Sequence, residues 1–211
     1  MKHSLLAFVA LVLGVLPAPA QPSLTLEDVR DTYQSLDGME ASFTQVVGSE
    51  FAGDSTRIEG TVTLSGDRYR VETPGQTVVT DGETTWIYSP ADSQVVVDDA
   101  AADEGPITPE TFLDESAQQY EVTDRRTQTV AGTPHVVLSL TSTTSEARFR
   151  DASLWVRQAD RLVTRLRATD LNGATFDLRL RDLQVNPSLS DSTFSFRPPG
   201  DIEVVDLREG D

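Results

Sequence analysis

Few residues of this 211-residue chain could do chemistry, and they are scattered. His135 is the one histidine beyond residue 20, and it stands in the apolar run Pro134-His135-Val136-Val137-Leu138. A general base and a structural histidine both fit that position. There is no cysteine, and Lys2 is the only lysine, so thiol nucleophiles are excluded, as are lysine Schiff bases beyond the N-terminus. A Ser-His-Asp triad would have to use His135, and no G-x-S-x-G turn accompanies it. No His/Cys spacing suits zinc and no glycine loop suits a phosphate. Asp98, Asp99, Asp103 and Glu104 could hold calcium or work as an acid pair. Their spacing matches no EF-hand loop, and a solvated acidic flap accounts for them better. The expectation is a binding protein rather than an enzyme, without metal or cofactor.

Charge narrows the partners. Thirty-four carboxylates face seventeen cations, for a net charge of −17. Such a surface repels nucleic acid and anionic headgroups. Acid excess with arginine in place of lysine points to a high-salt habitat, where screening relieves self-repulsion. The first twenty residues have the layout of a cleaved secretory signal: Lys2 and His3, the apolar run Leu5 to Leu16, then Ala18-Pro19-Ala20. An uncleaved anchor is the other reading, but the run is short for a bilayer span. Residues 21–211 then form one domain of sufficient size for its own core, held without disulfides. No cysteine follows the cleavage site, so the exported chain carries no lipid anchor of its own.

The elements that position these residues are mostly strands. Leu26, Val29, Tyr33 and Leu36 recur every three or four residues and predict an opening helix, with Thr25 and Asp28 as its capping box and Gly38 as its end. About ten strands follow in an antiparallel meander, from EASFTQVV to FSFRP. Asp81-Gly82 and Asn172-Gly173 suit two-residue hairpins with positive φ at both centres. Residues 98–116 interrupt the series as a flap, with Thr108 capping a short helix that buries Phe112 and Leu113.

Alternation sorts the strands into an apolar and a wet face. Val62 and Leu64, Tyr69 and Val71, Leu162 and Leu166, and Phe176, Leu178 and Leu180 fall on one side. Arg68, Arg70, Arg165, Arg167, Arg179 and Arg181 fall on the other. Curling the sheet buries the apolar side. Patterning alone is satisfied by a filled core and by a partly empty concavity.

Three stretches in fixed order carry a resemblance: MEASFTQ at 39–45, VVTDGETTWIYSP at 78–90, and FSFRPPGDIEV at 194–204. They resemble the LolA family of lipoprotein carriers, over nearly all of residues 24–205. The resemblance implies a mainly β fold in which an antiparallel curved sheet forms an incomplete, unclosed β-barrel. An N-terminal helix and a short flap helix would close it over a hydrophobic cavity for lipoprotein acyl chains. It implies a periplasmic location, donation by an inner-membrane ATP-binding-cassette release complex, and delivery to an outer-membrane receptor or the outer membrane itself. A carrier of another lipid or glycolipid, and a lipid-sensing module of the same fold, share these motifs. Cavity candidates are Phe43, Val62, Leu64, Tyr69, Val71, Trp86, Tyr88, Leu138, Leu140, Leu162, Leu166, Phe176 and Leu178. Lid candidates are Leu26, Val29, Tyr33, Leu36, Phe112 and Leu113. One departure stands out: where the family often carries a lid-closing Arg-Pro, this chain has Ser65-Gly66-Asp67.

Overall fold

The computed structural model describes residues 24–49, 51, 53–100, 105–116, 118–200 and 202–208. The expected signal at 1–20 and the acidic residues Asp103 and Glu104 lie outside that set. Helix α1 (Leu26–Gln34) starts at the capping box read from the sequence: Asp28 N donates to Thr25 Oγ1 at 3.0 Å, and Thr25 N donates back to Asp28 Oδ2 at 2.8 Å. It ends before Gly38. That glycine serves a different need, because a Cβ there would lie 2.7 Å from the Leu64 carbonyl oxygen.

Among the described residues twelve strands form one sheet. They are β1 (Met39–Ser49), β2 (Ser55–Ser65), β3 (Arg68–Glu72), β4 (Thr77–Thr80), β5 (Thr84–Ser89), β6 (Gln94–Asp99), β7 (Tyr120–Val130), β8 (Thr133–Ser142), β9 (Phe149–Arg157), β10 (Val163–Asp170), β11 (Ala174–Val185) and β12 (Glu203–Asp206). The spatial order is β12-β6-β5-β4-β3-β2-β1-β11-β10-β9-β8-β7, so two antiparallel meanders join where β1 meets β11. Among the described residues the sheet does not close. FSFRP is not a strand: residues 191–194 make a short 3₁₀ turn, and the last strand is β12, parallel to β6.

The hairpins correct a detail. At Asp81-Gly82-Glu83-Thr84 the centre is Gly82-Glu83, and only Gly82 is left-handed (φ 96°), while the Asp81 carboxylate accepts from Glu83 N and Thr84 N. At Asn172-Gly173 only Gly173 (φ 80°) is left-handed, in a three-residue loop whose Asp170 carboxylate accepts from Asn172 N and Ala174 N. An aspartate acceptor replaces the second strained residue that the two-residue form would need.

β6 and β7 lie near opposite margins of the sheet, and Ile107, Phe112 and Leu113 of the chain between them pack on its concave side. Helix α2 (Pro109–Ser116) forms part of that stretch, with Thr111 N donating to Thr108 Oγ1 at 3.2 Å as its cap. Asp98 and Asp99 belong to β6 rather than to this flap.

Candidate functional site

Register decides which side chains meet under the two helices. Met39, Ala41 and Phe43 of β1, Val62 and Leu64 of β2, and Phe176, Leu178 and Leu180 of β11 share the concave face with Leu138, Leu140, Leu154 and Leu166. Gly60 lies opposite Phe43, and a Cβ there would come within 2.9 Å of the Phe43 ring. The missing side chain leaves that ring its place against the sheet.

Val29 and Tyr33 of α1, and Phe112 and Leu113 of α2, are buried in this core, with Leu26 and Leu36 packed at its edge. The lid residues read from the sequence are thus all on the concave side. α1 is tied down firmly. Val163 N donates to Tyr33 Oη at 3.1 Å, and Arg161 approaches the Asp28 carboxylate at 3.6 Å. Burial pushes the Tyr33 hydroxyl well above its ordinary pKa, so it stays protonated. α2 is held more lightly: Arg30 Nε of α1 donates to the Leu113 carbonyl at 3.2 Å.

Beneath the flap runs an apolar seam. At one end a cleft of about 230 Å³ opens between Leu64 and Tyr69 on the sheet and Gly105, Pro106 and Glu110 above. It narrows to about 50 Å³ where Pro106, Ile107 and Pro109 sit over Phe43, Val62, Val71, Leu178 and Leu180. Beyond Ile107 it widens again to about 270 Å³ among Gln45, Val47, Phe149 and Phe176. A space of 50 Å³ holds one or two water molecules. The flap is therefore down, and its residues 106–109 are what divide the two clefts.

Seven of the thirteen cavity candidates line this seam: Phe43, Val62, Leu64, Tyr69, Val71, Phe176 and Leu178. Leu138, Leu140, Leu162 and Leu166 are on the same face but fully packed within the core. Trp86 and Tyr88 are on the other side. Trp86 lies opposite Val79 and Val97, and Val79 lies opposite Arg70, which alternates with the concave Tyr69 and Val71. A second apolar layer forms there, with Val79 and Val95 fully buried, Phe194 buried beneath Arg68, and the Phe196 ring 5.6 Å from Tyr88. Alternation separates two faces without saying which is inner, and the C-terminal segment makes both faces of this hairpin apolar.

Arg68 and Arg70, the first arginines after Ser65-Gly66-Asp67, face away from the flap. Ser65-Gly66-Asp67 makes the tight β2–β3 turn, with Gly66 left-handed. Arg68 pairs with Asp191 at 2.9 Å, and Arg70 donates to the Thr193 carbonyl and pairs with Glu72, all on the convex face. Reading the strands missed Ile107, Phe149, Met39 and Gln45; Ile107 was legible only as the one large apolar residue of GPITP.

His135 is a buried structural histidine. Its Nδ1 donates to the Thr133 carbonyl at 2.9 Å, and Nε2 lies 2.9 Å from the Thr164 hydroxyl. Glu110 titrates above the ordinary carboxylate range, because burial disfavours its charge and Asp114 repels it one turn away.

In class the molecule is an open, curled sheet with two helices laid across a largely apolar seam on its concave face. Residues 34–197 match the family model "Outer membrane lipoprotein carrier protein LolA", and the chain belongs to that family. It is 29% identical over 220 residues to the outer-membrane lipoprotein carrier protein of Haemophilus influenzae Rd, covering 99% of this chain and 100% of the relative. The corresponding protein of Alkalilimnicola ehrlichii is 26% identical, covering 100% and 97%. Among solved structures, an uncharacterized conserved protein of Thermus thermophilus superposes with a TM-score of 0.56 at 16% identity, covering 85% of this chain and 98% of that one. MucB superposes with a TM-score of 0.50 at 19% identity, covering 85% and 65%. These two likenesses concern the fold alone.

Proposed function

We propose that residues 1–20 direct export and are removed, and that residues 21–211 act as one domain in the periplasm. There the protein shields lipoprotein acyl chains on their way from an inner-membrane ATP-driven release complex to an outer-membrane receptor or the outer membrane. The physical need is clear: each exposed CH₂ costs about 0.8 kcal/mol in water, so the chains require continuous cover. The observation that carries the reading is the seam: two open, largely apolar clefts, one edged by Asp67, Glu110 and Asp114 and the other by Arg148 and Asp170, with flap residues 106–109 between them. Lifting that segment merges them into one trough along Leu64, Val62, Phe43, Leu178 and Phe176, at the cost of undocking Ile107, Phe112 and Leu113. This cost keeps binding loose enough for release.

The test uses the chain's freedom from cysteine. Gln45→Cys with Ile107→Cys, joined by a short bismaleimide, pins the flap to the sheet. Mass spectrometry of what copurifies from the periplasm should find triacylated lipoproteins on the free form and none on the pinned form. Equal loading of both forms refutes the trough. Free lipids in place of lipoproteins would redirect the cargo assignment to another lipid.

A further inference from the structure

The half of the convex face left uncovered by the C-terminal segment carries a concavity of about 470 Å³. Its lining includes Arg57, Arg157, Arg165, Arg179 and Arg181, five of the sixteen arginines in the whole chain. Register explains the gathering. Trp155 of β9 lies opposite Arg165 of β10, which lies opposite Arg179 of β11, then Thr44 of β1, then Glu59 of β2. With neighbouring strands about 4.8 Å apart, this row extends about 19 Å across the sheet.

Each cation is fixed by a neighbour. The Arg165 guanidinium lies 4.4 Å over the Trp155 ring and donates to Asp177, as does Arg179. Arg181 donates to Thr44 Oγ1, Arg57 to Glu59, and Arg157 to Asp160. Burial would raise the Asp177 carboxyl, but hydrogen bonds from Arg165 and Arg179 outweigh it and hold the group below its usual range. Five guanidinium groups thus face three carboxylates, Glu59, Asp160 and Asp177, in a chain that is otherwise strongly acidic. Guanidinium has five N–H donors, so a carboxylate neighbour leaves several free. The Arg57 and Arg179 side chains are 59% and 55% exposed. Physiological salt screens beyond about 8 Å, so the distant acidic surface does not cancel this patch for a ligand seated on it.

We propose that this groove docks an extended acidic segment of a partner protein. The five arginines come from four strands, β2, β9, β10 and β11, and this spread across the sheet suits a chain of carboxylates better than a single phosphate. Side chains on one face of an extended peptide recur about every 6.7 Å, so the breadth of about 19 Å from Arg57 on β2 to Arg157 on β9 matches about three acidic residues from a stretch of five to seven. Gln128, Thr133 and Thr164 line the same groove as polar neighbours for a peptide backbone. The site lies on the face opposite the seam, so a partner held there leaves the flap free to move.

The test is fluorescence anisotropy of a labelled heptapeptide with glutamate at alternate positions, titrated with the full chain. Expected are binding at least tenfold tighter than that of the glutamine counterpart and a loss of about tenfold or more on raising salt to about 0.3 M. Arg57→Gln with Arg179→Gln should cost at least another tenfold, while Arg208→Gln on the far edge should change nothing. Both changed side chains are largely exposed and Asp177 keeps Arg165, so the double variant folds, and its circular dichroism should match the parent. Equal binding of the glutamine peptide, or indifference to the double substitution, overturns the proposal. So does displacement by inorganic phosphate at the peptide's own affinity, or low-salt self-association through these arginines. Acyl-chain loading is expected to be unaltered in the double variant, so this result and that for the seam are independent.

Discussion

Arg30 is the residue through which α1 holds the flap, and replacing it by methionine isolates that hold. Methionine retains an apolar stem of similar length over the core but cannot donate to the Leu113 carbonyl. A hydrogen bond from a charged donor contributes about 1.5–3 kcal/mol, and 3.2 Å puts this one near the lower end. Since 1.4 kcal/mol is a factor of ten, the lifted flap should become about tenfold more populated. While it remains the minor state, apparent affinity for an acyl probe should rise by about the same factor. Hydrogen exchange reads the first quantity in peptides covering 105–116, and titration with a fluorescent fatty acid reads the second. Unchanged exchange there would refute the latch. So would a loss of protection spread evenly over β1, β10 and β11, since that marks general destabilisation instead of local release.

Three further outcomes follow. Glu110 has its pKa raised in the docked flap, so docking is strongest below its unfolded value of 4.5 and weakens as pH rises through the elevated one; Glu110→Gln should remove this dependence and leave 105–116 well protected at neutral pH, by exchange against pH. Trp86→Ala should lower stability by about 2 kcal/mol through the outer apolar layer while leaving acyl binding intact, whereas Phe43→Ala should cost about 3–4 kcal/mol and alter binding, by paired denaturant and probe titrations. With 34 carboxylates against 17 cations, the melting temperature should climb from dilute buffer to molar salt; a flat profile would dismiss the high-salt reading.

What could be read in advance depended on whether a rule was local. Thr25 with Asp28 and Thr108 with Pro109 placed both helix starts correctly, because a cap is decided within four residues. Strict alternation placed Val62, Leu64, Phe176 and Leu178 on one face for the same reason. Trp86 and Tyr88 were assigned to the cavity wrongly because their strand is apolar on both sides. Its outer cover, Phe194 and Phe196, comes from more than a hundred residues away. The parallel pairing of β12 was equally hidden, since EVVD makes sense only beside the exposed edge of β6. The arginines of β10 and β11 were read simply as a wet face; their convergence with Arg57 and Arg157 depends on the β1–β11 junction.

The route of the chain from β6 to β7 bounds how far this molecule can stretch. The sheet order from β6 to β7 has ten intervals, about 48 Å of breadth when laid flat. The twenty residues between Asp99 and Tyr120, eight of them helical in α2, reach only about 50–55 Å with that helix intact. The two lengths nearly match, and the path must also clear the side chains beneath it. The span is thus a tether between both rims, and its length sets how far they can part while α2 stays coiled.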